Sequence, residues 1–260
     1  MKDSAFDNLV SIVIPAYNCG AFIAETIESV LAQTYANWEM LIVDDCSTDN
    51  TAQIIRDYKD DKILFFQNET NSGAAVSRNR ALAEAKGRWI AFLDCDDWWY
   101  PDKLEKQIDF MVKNNFAFTY TEYIMADDTL TPTGIRVSGP KCITRRRMYD
   151  FCWPASMTIM YDRNIMGTLS IPNLKKHNDY ALWLSAIRFS NCYLFPHVLA
   201  KCRKRTGSIS SVSKRTLIYH HYLLYINGEN RSKAASVVLT VRNIFWGVYK
   251  KIRYYRKELI

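Results

Sequence analysis

Between residues 9 and 93 the chain alternates short apolar, β-branched runs with helical patterns, and few folds accept that order. "LVSIVI" (9–14), "WEMLIV" (38–43), "ILFF" (63–66) and "RWIAFL" (88–93) have the length and continuous apolarity of buried strands. Between the first two, Phe22, Ile23, Ile27, Val30 and Leu31 recur at helical spacing. A second helix follows residue 46, with Ser47 or Thr48 as its cap, and "GAAVSRNRALAEAK" (73–86) reads as an Ala-rich helix stopped by Gly87. Pro101 stands where a proline opens a helix, here one running to about Asn114. The order predicts an α/β fold: a Rossmann-like, mostly parallel central sheet flanked by helices and joined by right-handed crossovers.

Beyond "FAFTYTEYIM" (116–125) the pattern loosens. "DDTLTPTGIRVSGP" reads as a turn or hairpin, "RRRMYDF" opens a less regular region, "DYALWLSAIRF" (179–189) is helical, and "CYLFPHVLAKCR" resembles a strand broken by Pro196. From about residue 214 the chain is helical again, ending in "NIFWGVYKKIRYYRKELI". The expected division is one domain over 1–212, in halves at about 9–125 and 126–212, followed by a basic, aromatic helical extension at 213–260.

In an open parallel sheet, ligands bind beyond the carboxyl ends of the strands. Three polar clusters fall at that edge: "PAYN" (15–18), Asp44 with Asp45, and Asp94, Asp96 and Asp97 within "FLDCDDWW". Like charges crowd when a cation compensates them, and such a rim suits Mg²⁺ or Mn²⁺, which take carboxylate oxygens and leave positions for a substrate's phosphates. The competing reading is that Asp45 and Asp97 cap the helices that follow. Adjacent His220 and His221 point apart on a helix and are expected to be structural. Trp98 and Trp99, beside the acids, are candidates to stack on a ligand ring, whereas Trp183 is expected in the core.

The 48% hydrophobic content supplies a core and excludes disorder, while a net charge of +7 with pI near 9.0 favours an anionic partner. Seven cysteines without a C-x-x-C pair suggest a reducing cytoplasm rather than a disulfide framework. "MKDSAFDN" has no apolar stretch of the kind a signal peptide needs, and no apolar run reaches spanning length.

Four stretches carry a family resemblance: "VSIVIPAYN", "EMLIVDDCSTDNT", "NSGAAVSRNRALAEAKGRWIAFLDCDDWW" and "HNDYALWL". In order and spacing, over roughly residues 9 to 212, they resemble the inverting glycosyltransferases of family 2 with the GT-A fold. Bacterial members that build surface polysaccharides, O-antigen or teichuronic acid, are the most similar. The resemblance implies that Pro15 and Tyr17 lie beside the nucleotide, that Asp45 hydrogen-bonds the uracil or ribose, and that Arg78 lies near the base or diphosphate. It makes Asp94 and Asp96 the D-x-D pair, with Asp97 as a further metal ligand for Mn²⁺ or Mg²⁺, and Asp179 the catalytic base. The donor it implies is a UDP-sugar, and the acceptor a polyprenyl-diphosphate-linked saccharide.

Asp179 also has a structural reading, as the N-cap of the 180–189 helix; the two roles are compatible. In "KCRKRTGSIS" (201–210), Arg203 and Arg205 beside Ser208 and Ser210 are candidates for a loop closing on the donor phosphates, against a solvated basic loop. Many relatives carry "YR-x-H" here; this chain has Cys202 for the Tyr and Arg205 for the His. In the tail, Phe245, Val248, Ile252, Tyr255 and Leu259 recur at helical spacing beside Arg242, Lys250, Lys251, Arg253, Arg256 and Lys257. Two readings stand: a helix lying on an anionic membrane surface, at the inner face of the bacterial inner membrane, or a helix packing its stripe on the core.

Other classes fit less well. A sugar-nucleotide nucleotidyltransferase usually carries a Gly-rich loop after the first strand, where "PAYNCGAF" has one glycine. A receiver-like, non-catalytic nucleotide-binding module would need neither Asp179 nor the tail, and an acidic rim makes a poor nucleic-acid groove, so no nucleic-acid partner is expected.

Overall fold

The computed structural model describes residues 8–205 and 214–258. β1 (Val10–Ala16), β2 (Trp38–Asp44), β3 (Ile63–Gln67) and β4 (Trp89–Phe92) alternate with α1 (Ile23–Leu31), α2 (Thr51–Asp57) and α3 (Ala74–Glu84). β1 is parallel to both β2 and β4, and β2 is parallel to β3, giving the order β4-β1-β2-β3. Every residue of β1, β2 and β4 is buried, the pattern of strands covered by helices on both faces.

The chain then passes through β5 (Trp98–Trp99), α4 (Lys103–Asn114), β6 (Phe118–Ala126), β7 (Pro132–Val137), β8 (Cys142–Ile143), α5 (Arg145–Asp150), β9 (Met160–Asp162) and α6 (Arg163–Met166). α7 (Asn178–Ala186), β10 (Cys192–Arg203), α8 (Lys214–Leu223), α9 (Lys233–Tyr254) and β11 (Tyr255–Lys257) complete it. β9 runs antiparallel between β4 and β6, and β6 pairs antiparallel with β7, so the parallel half continues into a mixed one. Two apolar clusters fill the two sides of this sheet. One centres on Phe92, Tyr161 and Trp183; the other on Ile12, Ile14 and Trp99.

Several local expectations need correction. α4 starts at Lys103 rather than at Pro101, whose carbonyl instead receives the Thr34 N–H at 2.9 Å from the turn before the helix. α2 starts at Thr51, and Ser47 is turned back to Asp44 and to the backbone of Asn18 instead of capping it. α7 starts at Asn178 behind His177 in the left-handed region (φ 59), so Asp179 lies in the first turn and is not the cap. β10 runs unbroken through Pro196; its pairing with β6 shifts register after Phe195 and again after Val198, which absorbs the missing N–H.

The C-terminal segment returns to the sheet. β11 pairs antiparallel with β7, and Lys250 is buried and donates to the Trp153 carbonyl at 2.6 Å. α9 meets the body of the protein with Ser236, Thr240, Asn243 and Lys250 and turns its apolar stripe outward: Phe245 is 65% exposed and Ile252 79%. The helix ends at Tyr254, so Tyr255 belongs to β11 instead of the stripe, and Leu259 lies outside the described residues. The expected domain boundary at 212/213, with Ser208 and Ser210, also falls outside them. No helix among the described residues is long and apolar enough to cross a membrane.

Candidate active site

The acids predicted at the strand ends do meet at one margin of the sheet. Leu93 follows β4 and extends its pairing, its N–H donating to the Val13 carbonyl, and the chain then turns tightly, Asp97 N–H to Asp94 carbonyl at 3.0 Å. Asp94 is held by α3: Arg78 Nη2 lies 2.6 Å from Asp94 Oδ1, and Arg78 Nη1 donates to Asn178 Oδ1 at 3.1 Å. Arg78 therefore joins the acidic turn to the first turn of α7, where Asp179 sits. Burial alone would lower the Arg78 pKa, but the charges of Asp94 and Asp179 outweigh it and raise it. Asp179 is half-buried, and desolvation lifts its pKa above the ordinary aspartate value while Arg78 pulls the other way. A carboxylate so lifted is a better proton acceptor near neutral pH.

Asp96 and Asp97 diverge from one another. Arg205 Nε lies 2.8 Å from Asp96 Oδ2, close enough for an ion pair but not aimed for a hydrogen bond. Asp97 points inward, accepting the Arg203 backbone N–H at 2.9 Å while its own carbonyl takes the Thr26 hydroxyl at 2.8 Å. Arg203 is a brace: its buried guanidinium pairs with Glu25, donates to the carbonyls of Asp96 and Asp128, and stacks on Phe22. Its hydrogen-bonding groups are engaged within the fold, whereas Arg205 reaches the rim. Trp99 is wholly buried, donating to the Met157 carbonyl at 2.7 Å, and Trp183 packs edge-on against Phe92, so neither faces the rim. Trp98 is half-buried beneath Lys201, whose Nζ lies 4.7 Å from the ring.

On the nucleotide side, Pro15 is buried in β1 and Tyr17, just beyond it, is exposed. Asp45 holds the loop before α3: Oδ1 accepts from Asn68 Nδ2 at 2.8 Å and Ser72 N at 3.0 Å, and Oδ2 from Gly73 N at 2.7 Å. Gly73 adopts φ 89, which a side chain would strain, so the glycine lets its N–H turn toward the carboxylate. Both Asp45 oxygens are thus engaged within the protein, although each retains accepting capacity. The sequence reading missed Glu25, Asn68 and Asn178. The residues Asn71-Ser72-Gly73 before α3 were the visible signal for the loop; nothing in the local sequence marked Glu25.

The resemblance implies a divalent cation at this rim. Among the described residues no three His, Cys, Asp or Glu side chains converge as a protein-only cage. Mg²⁺ or Mn²⁺ at a phosphate site needs less, one or two carboxylates with substrate phosphates completing the shell. Asp94 and Asp96 fit that requirement. Asp94 Oδ1 lies beside Arg78 and Asp96 Oδ2 beside Arg205. Burial, then the neighbouring Asp94 charge, raises the Asp96 pKa, a strain that a cation relieves. Asp97 does not fit, because it is buried and turned onto the Arg203 backbone.

The model of glycosyl transferase family 2 matches residues 11–170. The chain is 45% identical over 214 residues to WfaP of Escherichia coli, a UDP-Glc:alpha-D-GlcNAc-diphosphoundecaprenol beta-1,3-glucosyltransferase, covering 81% of this chain and 83% of that protein. It is 41% identical over 206 residues to TuaG of Bacillus subtilis, named for teichuronic acid biosynthesis, covering 78% and 82%. The crystal structure of Staphylococcus aureus TarS 1–349 with UDP-GlcNAc superposes with TM-score 0.69 at 24% identity, over 90% of this chain and 71% of that one, which shows the shared GT-A fold. The strand-end acids, the α3 arginine and the first-turn aspartate of α7 are thus set in a known framework, and the chain belongs to glycosyl transferase family 2.

Proposed function

We propose that this protein is an inverting hexosyltransferase that moves a sugar from a UDP-hexose or UDP-N-acetylhexosamine to a hydroxyl of a lipid-diphosphate-linked saccharide in bacterial surface-polysaccharide synthesis. The observation that carries the reading is the Asp94–Arg78–Asn178 chain, which ties a two-carboxylate rim to the residue before Asp179. The relatives' names support donor and acceptor: WfaP is named for UDP-Glc and a diphosphoundecaprenol-linked sugar.

Asp94 and Asp96 would hold Mg²⁺ or Mn²⁺, which when bound neutralises charge developing on the leaving diphosphate. Arg205, at the same rim, offers a planar fork to a phosphate oxygen. Tyr17 and the Asp45-braced loop flank the nucleotide. Asp179 takes the proton of the acceptor hydroxyl as it attacks the anomeric carbon from the face opposite the departing UDP, a single displacement that inverts configuration. Desolvation raises the Asp179 pKa, and the positive charge of Arg78 opposes that rise.

Such an acceptor is presented at a membrane, and α9 supports docking there, with Val241, Ile244, Phe245, Val248 and Ile252 facing outward beside exposed Lys251 and Arg253. The proposed location is the inner face of the bacterial inner membrane. Transfer from a panel of UDP-sugars to a synthetic lipid-diphosphate acceptor, with Mn²⁺ and with chelator, tests the reading. Product of inverted configuration supports it; no transfer from any UDP-sugar removes it.

A further inference from the structure

α5, Arg231 and the first half of α9 line an open groove of about 650 Å³. Four arginines line it, Arg145, Arg146, Arg231 and Arg242, over an apolar floor that includes Val238 and Leu239. Two of them are committed. Arg242 pairs with Asp150, the one acid of the groove, and Arg231 lies over the Tyr149 ring and donates to its hydroxyl at 3.0 Å. Arg145 and Arg146 are exposed, and no carboxylate among the described residues pairs with either. Two adjacent unpaired guanidiniums against two anchored ones form a concentrated positive site rather than a diffuse basic face.

The floor of the groove continues outward. Val238 belongs both to the groove and to the exposed stripe that proceeds through Val241, Phe245, Val248 and Ile252. From residue 238 to residue 252 that stripe runs ~21 Å along the helix at 1.5 Å per residue. A multiply charged head followed at once by a long apolar track is complementary to an anionic group carried on a hydrocarbon chain. A diphosphate suits the head better than a single phosphodiester, because it offers enough oxygens for two guanidinium forks at once.

We propose that this groove binds the diphosphate of a polyisoprenyl-diphosphate-linked acceptor, with the isoprenoid chain leaving along the outer face of α9. The inference rests on the acceptor class given above and adds its binding place. It also links that place to the chemistry: Tyr180, next to Asp179, donates its hydroxyl to the Met148 carbonyl of α5 at 2.6 Å. A head group seated at the first turn of α5 thus bears on the helix that is packed against the one carrying the candidate base.

The test is vesicle flotation of the full chain on phosphatidylcholine vesicles doped with undecaprenyl diphosphate, against vesicles matched in total charge with phosphatidylglycerol. Wild type is expected to prefer the diphosphate vesicles by roughly tenfold, and Arg145→Gln/Arg146→Gln to lose that preference while melting like wild type, since both side chains are exposed. Arg145→Lys/Arg146→Lys should retain part of it. Equal recruitment of wild type to the two charge-matched vesicles overturns the proposal and makes the groove a general anionic-lipid contact. A preference that survives Arg145→Gln/Arg146→Gln overturns it as well. Neither readout requires turnover, so a protein that prefers the diphosphate but transfers no sugar would sink the proposed reaction and leave the groove standing.

Discussion

Arg78 and Asp94 form the ion pair around which the site is arranged, with Nη2 and Oδ1 2.6 Å apart and Nη1 reaching on to Asn178. One buried guanidinium from α3 thereby sets the position of a proposed metal ligand and of the helix turn bearing a proposed base. It also opposes the desolvation that raises the pKa of Asp179.

The first prediction follows for the base. Asp179→Asn keeps the shape of the first turn of α7 but removes the proton acceptor, so kcat should fall by ~10²–10⁴-fold. UDP affinity, measured by calorimetry, should be unchanged. Loss of UDP binding in parallel with kcat would make Asp179 a binding residue instead.

Arg78→Met shifts the pH dependence. Asp179 must be ionised to act, so activity rises with pH through its pKa, already raised by burial and held down by Arg78. Removing Arg78 takes away the lowering influence, and the acidic limb of kcat/KM should move to higher pH. A limb that stays in place shows that the two charges do not communicate.

How much of this was legible beforehand differs by residue. Strand order alone brought Asp45, Asp94 and Asp96 to one margin, because side chains at the carboxyl ends of parallel strands have nowhere else to go. Asp97 and Arg203 read as facing the ligand because spacing gives a residue's place along the chain and not the direction its side chain faces; both turn inward to brace the loop. The tail was half readable. Its apolar period was evident, but whether that stripe or the opposite face meets the protein depends on partners far away in sequence, such as Trp153 and Asp150. Pro196 misled because a register shift can accommodate a proline that would end an ideal strand.

Lys103 of α4 is fully buried with Nζ 4.1 Å from the centre of the Trp99 ring, and burial lowers its pKa to about 7. The unfolded chain therefore binds a proton that the folded one releases, between about pH 7 and the ordinary lysine value of 10.5. Stability should rise with pH across that window, by roughly 1.4 kcal/mol per unit from this group. Urea unfolding of wild type and Lys103→Met at pH 7 and pH 9 checks this: the stability difference between them should shift in favour of wild type at the higher pH. A difference independent of pH would mean that Lys103 stays charged in the fold.

For the outer stripe of α9, Phe245→Ser/Ile252→Ser removes two side chains that are 65% and 79% exposed. Thermal stability should change by less than about 1 kcal/mol, as for surface positions elsewhere, while flotation on anionic vesicles should fall several-fold. A large drop in melting temperature with unchanged flotation would reverse the orientation assigned to this helix.

Calorimetric titration of UDP into the protein with and without Mn²⁺, for wild type, Asp94→Asn and Asp96→Asn, examines the two-carboxylate rim without requiring the acceptor or the transferred sugar. Wild type is expected to bind UDP about tenfold or more tightly with Mn²⁺, a gain of ~1.4 kcal/mol, and both variants should lose that gain while retaining the weaker metal-free affinity. The same UDP affinity in wild type with and without the metal, or a full manganese gain in Asp96→Asn, would contradict it.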